Sequence, residues 1–152
     1  MTGDRKSGPS LRVRALRLLA RREHSRQELN GKLAIHAQDP AELEAVLDAL
    51  EAEGFLSERR MIEQILHTRG GRFGARRIAQ ELQQKGIGEE AIADALDARK
   101  SDELSSARAV WQRKFGTLPR SAAERARQVR FLQGRGFEFS TILKVIKGAD
   151  DQ

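Results

Sequence analysis

The sequence predicts an all-α protein, built as a tandem array of three three-helix repeats that is elongated and curved. Three observations point there. Ala, Leu, Arg, Glu and Gln dominate the composition, and these residues favour helix. Apolar residues recur at spacings of three and four along most of the chain, which places them on one side of a helix. The pattern also returns with a period of roughly 46–50 residues: Val46 and Leu50 align with Ile92 and Leu96, then with Ile142 and Ile146.

The expected boundaries are a disordered tail at 1–10, repeats at 11–56, 57–101 and 102–148, and a tail at 149–152. Helix one covers Leu11 to Arg22, with Leu11, Ala15, Leu18 and Leu19 inward and Arg12, Arg14, Arg17, Arg21 and Arg22 outward. Ser25 caps a second helix, with Glu28 at capping-box spacing and Leu29 and Leu33 as core. Asp39-Pro40 opens a third, with Pro40 where a missing N–H costs nothing. Its apolar stripe is Leu43, Val46, Leu47 and Leu50, and Gly54 ends it before Phe55 and Leu56, which anchor the turn.

The most regular stretch is 54–87. Ser57 caps a helix over Glu58–Thr68 that carries Met61, Ile62, Ile65 and Leu66 on one face. A second helix, Ala75–Lys85, carries Ile78 and Leu82 and ends at Gly86. The joint between them is R-G-G-R-F-G, flanked by further arginines. Gly88-Glu89-Glu90 then opens a helix with Ile92, Ala95 and Leu96 inward. In the last repeat, Leu104, Ala107, Val110, Trp111 and Phe115 share one face. Gly116 and Pro119 break the chain, Ser121–Leu132 is a basic helix, and the final helix uses Phe139, Ile142, Leu143, Val145 and Ile146. L-Q-Q-K-G-I at 82–87 matches L-Q-G-R-G-F at 132–137.

Charge follows the same period. Residues 1–37 carry nine basic and three acidic side chains, whereas 38–56 carry six acidic and none basic. The alternation repeats, with seven against three over 57–87 and two against six over 88–104, and eight against one over 105–137. A net charge of +6 and a pI near 10.3 suggest a polyanion or an acidic protein surface as partner. Two arrangements fit the segregation: basic and acidic helices on opposite sides of the array, or opposed blocks paired with each other inside it.

Several chemistries find no support. Cysteine is absent, which removes disulfides and thiolate metal sites. His24, His36 and His67 lie far apart and form no metal-binding spacing. Neither G-x-x-x-x-G-K-[ST] nor G-x-G-x-x-G occurs. R-G-G-R-F-G at 69–74 has two readings: a phosphate held by backbone N–H groups at the start of the next helix, or a helix–helix joint whose glycines take positive φ. Trp111 and Phe115 read as core. The N-terminal stretch lacks the apolar centre of a signal peptide, and a cytoplasmic location is expected.

Three stretches together resemble the RecX regulatory proteins: A-L-R-L-L-A-R-R-E-H-S-R-Q-E-L at 15–29, G-F-L-S-E-R-R at 54–60 and G-A-R-R-I-A-Q-E-L-Q-Q-K-G-I at 74–87. The likeness covers about residues 11–147. Ala75 stands where the family often has proline, and Met61-Ile62 replaces a more usual Phe-Ala pair. The resemblance implies a non-enzymatic regulator, without cofactor, that lodges in the groove of a RecA–DNA filament. Such a protein modulates, most often by inhibition, the recombinase, ATPase and co-protease activities of RecA. RecA and DNA are the implied partners, and the chain is expected to act as a monomer. The basic residues expected at the contact are Arg69, Arg72, Arg76, Arg77 and Lys85, then Arg125, Arg127 and Arg130. The alternative is a helical DNA-binding protein of transcription-factor type acting without RecA.

Overall fold

A computed structural model describes residues 8–147. Residues 1–7 and 149–152 of the expected tails, including Asp150 and Asp151, and residue 148 at the end of the expected third repeat lie outside the described residues. All regular elements within them are helical: α1 (Leu11–Arg21), α2 (Arg26–Leu33), α3 (Pro40–Ala52), α4 (Glu58–Arg69), α5 (Ala75–Gln84), α6 (Glu89–Ala98), α7 (Glu103–Lys114), α8 (Ala122–Gly134) and α9 (Phe139–Lys147). Short 3-10 turns follow α2 (Ala34–His36) and α6 (Lys100–Asp102).

By packing, the described residues form two compact units. The first comprises the residues up to 64 together with 85–87; the second comprises 65–84 and 88 onwards.

In the first unit α1, α2 and α3 pack on one another around Leu11, Ala15, Leu29, Leu33, Leu43, Leu47, Leu50 and Leu56. Each fully buried leucine contributes roughly 1.5–3 kcal/mol. The helix starts are set by side chains that accept otherwise unpaired first-turn N–H groups. Ser10 Oγ accepts from Val13 (3.2 Å) and Asp39 Oδ1 from Glu42 (3.0 Å). Ser25 forms a full capping box: its Oγ accepts from the Glu28 amide (3.0 Å) while its own amide donates to Glu28 Oε1 (2.9 Å). At the end of α3 Gly54 takes φ +86°, and the amides of Phe55 and Leu56 fold back onto the Leu50 carbonyl (2.9 and 3.2 Å). Of the two residues expected to anchor this turn, only Leu56 is buried. Phe55 is 47% exposed beneath the Arg12 guanidinium.

In the second unit α5 packs on α6, and α7, α8 and α9 close around Ala107, Val110, Leu132, Phe137, Ile142 and Val145. Phe115 meets Phe131 edge to face at 5.5 Å. The Trp111 indole N–H donates to Gln128 Oε1 (2.8 Å), and Gln128 Nε2 donates to the Thr117 carbonyl (3.0 Å). Phe139, expected on the core face of α9, is 50% exposed, because it occupies the first helical position, ahead of the buried Ile142, Val145 and Ile146. Among the described residues no helix is long and apolar enough to cross a membrane, and no group of His, Asp or Glu is placed to hold a metal ion.

Candidate partner-binding surface

The joint between α4 and α5 positions most of the expected site. It is built by close backbone approach rather than by unusual backbone angles. Gly70, Gly71 and Gly74 all have ordinary φ, so the positive-φ expectation for them does not hold. Gly74 is required by space instead: a Cβ there would fall on the carbonyl of Gly136 and on Phe137 Cα. This approach brings the Gly74 amide to the Arg135 carbonyl (2.8 Å) and the Arg76 amide to the Gly136 carbonyl (3.0 Å). Those two donors at the head of α5 are therefore occupied by the chain itself. The phosphate cradle that R-G-G-R-F-G suggested is not formed, because the turn at 135–136 sits where the anion would bind.

The side chains tell a different story from the backbone. Phe73, half-buried, carries three guanidinium groups around its ring: Arg77 at 4.6 Å, Arg135 at 5.3 Å and Arg72 at 5.9 Å from the centroid. The electron-rich ring face attracts each cation. Two of them are also tethered to main chain, Arg77 Nη1 to the Gly134 carbonyl (3.2 Å) and Arg135 Nη1 to the Arg72 carbonyl (3.3 Å). Arg135 additionally covers Phe131 (5.2 Å). A guanidinium has five N–H donors and no acceptor, so tethering one donor leaves most of the group available. Among the described residues none of Arg72, Arg76, Arg77 or Arg135 forms an ion pair with a carboxylate. The result is a positive surface whose side chains are held in place without being neutralised.

Arg69 is placed differently. Its Nε and Nη2 grip the Glu81 carboxylate at 3.0 and 3.2 Å, tying the end of α4 to α5. Together with Arg72, Phe73, Arg77 and Ile78 this pair lines a groove of about 290 Å³.

On α8 Arg125, Arg127 and Arg130 are exposed and without ion pairs among the described residues. Arg127, Arg130 and Gly134 follow the i, i+3, i+7 spacing of one helix face. The Gly134 carbonyl, at the end of α8, accepts from Arg77. Arg125, two residues before Arg127, lies about 200° around the helix from it.

Lys85 belongs to the first unit and serves a polar cluster there. Its ammonium reaches Glu28 Oε2 (3.1 Å), and its carbonyl accepts from Ser25 Oγ (2.6 Å). Arg22 also binds Glu28 (3.0 Å). Burial alone would raise the Glu28 pKa; hydrogen bonds from Arg22, the Ser25 amide and Lys85 outweigh it and hold the carboxyl at about 2. Beside it His24, 1% exposed, shares Nδ1 with the Arg22 carbonyl (3.0 Å) and Nε2 with the Lys32 ammonium (3.1 Å). A carbonyl can only accept and an ammonium only donate, so Nδ1 carries the proton and Nε2 is the acceptor. Burial pushes its pKa down, aided by the positive charges of Arg22 and Lys32.

Of the two charge arrangements that the sequence allows, the first unit adopts internal pairing at several points. Arg12 reaches Glu53 (2.6 Å), and Arg26 is surrounded by Asp48 (2.7 Å), Glu51 (2.9 Å) and Glu44 (3.1 Å). Sequence reasoning passed over Arg135 and Phe73. A signal for Arg135 was present: in the match between 82–87 and 132–137 it is the counterpart of Lys85. Phe73 had none, since an isolated phenylalanine in a glycine-rich joint does not reveal which cations will surround it.

Comparison with known proteins agrees with this architecture. Three family models match in order: the first three-helix domain of RecX over residues 12–50, the second over 57–96 and the third over 101–146. The chain is 53% identical to the regulatory protein RecX of Leptothrix cholodnii, covering 94% of this chain and 91% of that protein. It is 46% identical to the regulatory protein RecX of Ralstonia nicotianae, covering 93% and 89%. Among solved structures, that of RecX from Lactobacillus salivarius superposes with a TM-score of 0.81 at 17% identity, covering 93% of this chain and 96% of that one.

Proposed function

The chain belongs to the RecX family, and on that premise we propose that it binds the RecA–DNA filament in the cytoplasm and inhibits the recombinase, ATPase and co-protease activities of RecA, without catalysis of its own. The observation that carries this reading is the Phe73 cluster. Arg72, Arg77 and Arg135 surround one ring, and neither they nor the exposed Arg76 at the head of α5 has a carboxylate partner among the described residues. Arg127 and Arg130, exposed on α8, are proposed to add to the contact. Guanidinium forks held in this way suit carboxylates on a protein surface or phosphates on DNA, and a filament offers both at a regular repeat. Occupying the filament groove would exclude duplex DNA and cleavable repressors. The three repeats, with boundaries near 57 and 102, are proposed to bridge adjacent RecA subunits.

The test is RecA ATPase and strand exchange on single-stranded DNA with substoichiometric protein. The wild type lowers both activities. Arg72→Ala/Arg76→Ala/Arg77→Ala needs on the order of tenfold more protein for the same effect, at about 0.5 kcal/mol per lost contact, with unchanged helix content by circular dichroism. Full inhibition by the triple variant removes the surface assignment. No effect of the wild type on RecA removes the function.

A further inference from the structure

The first unit carries a second basic surface that the proposed filament contact does not use. Arg14, Arg17 and Arg21 follow one face of α1 at i, i+3 and i+7, and Lys32 on α2 faces the same groove. Leu18 and Leu33 form its floor and His36 closes one end. The groove has a volume of about 260 Å³.

Three properties set it apart from an ordinary solvated charged face. Many carboxylates of the unit are engaged with other cations: Arg12, Arg22, Arg26, Arg59, Arg60 and Lys85 hold Glu53, Glu28, Asp48, Glu63, Glu23 and Glu28 in turn. Arg14, Arg17, Arg21 and Lys32 form no ion pair among the described residues. Folding has therefore left four cations lining the groove without a carboxylate, the Lys32 ammonium donating to His24 Nε2 (3.1 Å), and a bound anion would offset their mutual repulsion. Part of the rim is held in place as well. Arg14 donates from Nε to the Pro9 carbonyl (3.1 Å) and lies 3.4 Å from His36 Nε2, which can only accept from it.

The lining selects the ligand. Arginine and lysine supply donors and no acceptor, so the ligand must present acceptors throughout, as phosphate oxygens do and base edges do not. The volume falls below the roughly 300–1,000 Å³ of pockets that enclose a whole organic ligand, which leaves room for a segment of an extended anion. Arg14 to Arg21 spans seven residues, about 10 Å of helix, which with the reach of the arginine side chains is long enough to meet two or three consecutive phosphates. We infer that this groove binds a run of two or three consecutive phosphates, whether in a nucleic-acid strand or in a free oligophosphate. The inference goes beyond the filament reading, because it concerns the other unit and holds with no recombinase present.

The experiment uses the full chain without RecA. Binding of a fluorescein-labelled oligothymidylate is followed by anisotropy across a salt series, and binding of tripolyphosphate by calorimetry. Arg17→Ala/Arg21→Ala removes two cations that make no other polar contact in the described residues; Arg17→Lys/Arg21→Lys retains the charge, and Arg72→Ala/Arg77→Ala reports on the other unit. The alanine pair is expected to weaken at least one ligand about tenfold, and for the oligonucleotide to flatten the log–log salt dependence by about 1.4, from roughly 0.7 per phosphate. The lysine pair keeps most of the binding. Loss confined to the oligonucleotide identifies a strand as the ligand, and loss confined to tripolyphosphate a free oligophosphate. If the alanine pair binds both as the wild type does, or if losses appear only in Arg72→Ala/Arg77→Ala, the groove is not a phosphate site. Neither result bears on inhibition of RecA, which is measured separately.

Discussion

Gly74 and Gly136 approach each other backbone to backbone, and the candidate surface depends on that approach. A Cβ on Gly74 would strike the Gly136 carbonyl; a Cβ on Gly136, whose φ is +92°, would strike the Arg77 backbone. Through this contact the head of α5 and the turn after α8 share two hydrogen bonds, and Arg77 and Arg135 converge on Phe73.

Gly74→Ala should therefore cost about 1–3 kcal/mol through overpacking, and Gly136→Ala more, since strain at positive φ adds to the clash. Urea denaturation reads both. The same variants should lose filament inhibition beyond what their stability explains, because they move the guanidinium groups apart. A Gly74→Ala protein of wild-type stability would refute the close approach.

Arg69 and Arg77 are eight residues apart, but among the described residues only Arg69 of the two is paired with a carboxylate. Arg69→Ala is expected to cost less than about 1 kcal/mol, as half-exposed pairs do, and to leave RecA inhibition within twofold of wild type. Arg77→Ala should weaken inhibition about two- to threefold, as loss of about 0.5 kcal/mol per contact implies. Equal effects of the two substitutions on strand exchange would count against the Phe73 cluster.

Trp111 is the only tryptophan, so its fluorescence reports on the bond from its indole N–H to Gln128. Gln128→Ala removes a buried side chain and leaves the partly buried indole N–H and the Thr117 carbonyl without their partner. About 1–3 kcal/mol of stability should be lost, together with a shift in the emission maximum. Unaltered emission would show that the bond does not form in solution.

Acid should destabilise the protein in two stages. His24 is buried neutral with its pKa lowered, so the unfolded chain takes up its proton first, and stability falls as pH drops below about 6.5. Glu28, held at about 2 against an ordinary value of 4.5, stabilises the fold above that ordinary value and loses its contribution as pH falls from about 5 towards 2. That second stage amounts to about 2 kcal/mol after allowance for solvent screening. Chemical denaturation at a series of pH values checks both. His24→Gln should flatten the upper limb and leave the lower, and Ser25→Ala should cost about 1–2 kcal/mol throughout by removing the cap.

Much of the fold was legible because it is written in short-range terms. The capping box of Ser25 and Glu28, Pro40 after Asp39 and the helix end at Gly54 each act within one turn, and each stands where the sequence places it. Phe139 was misread because helical spacing cannot say that the first position of a helix overhangs its core.

The sequence by itself determined which segments are helical, where they start and stop, that they recur as a three-helix unit, and that positive charge gathers in blocks. Local hydrogen bonding and periodic burial suffice for all of this, and neither needs distant residues. Only the tertiary structure decided which cations remain free. It paired Arg69 with Glu81 and Lys85 with Glu28, filled the head of α5 with the chain's own carbonyls, and carried Arg135 across more than sixty residues to Phe73. Whether an arginine is neutralised depends on which carboxylate reaches it within a few ångströms, and that distance is set by packing between helices far apart in the chain.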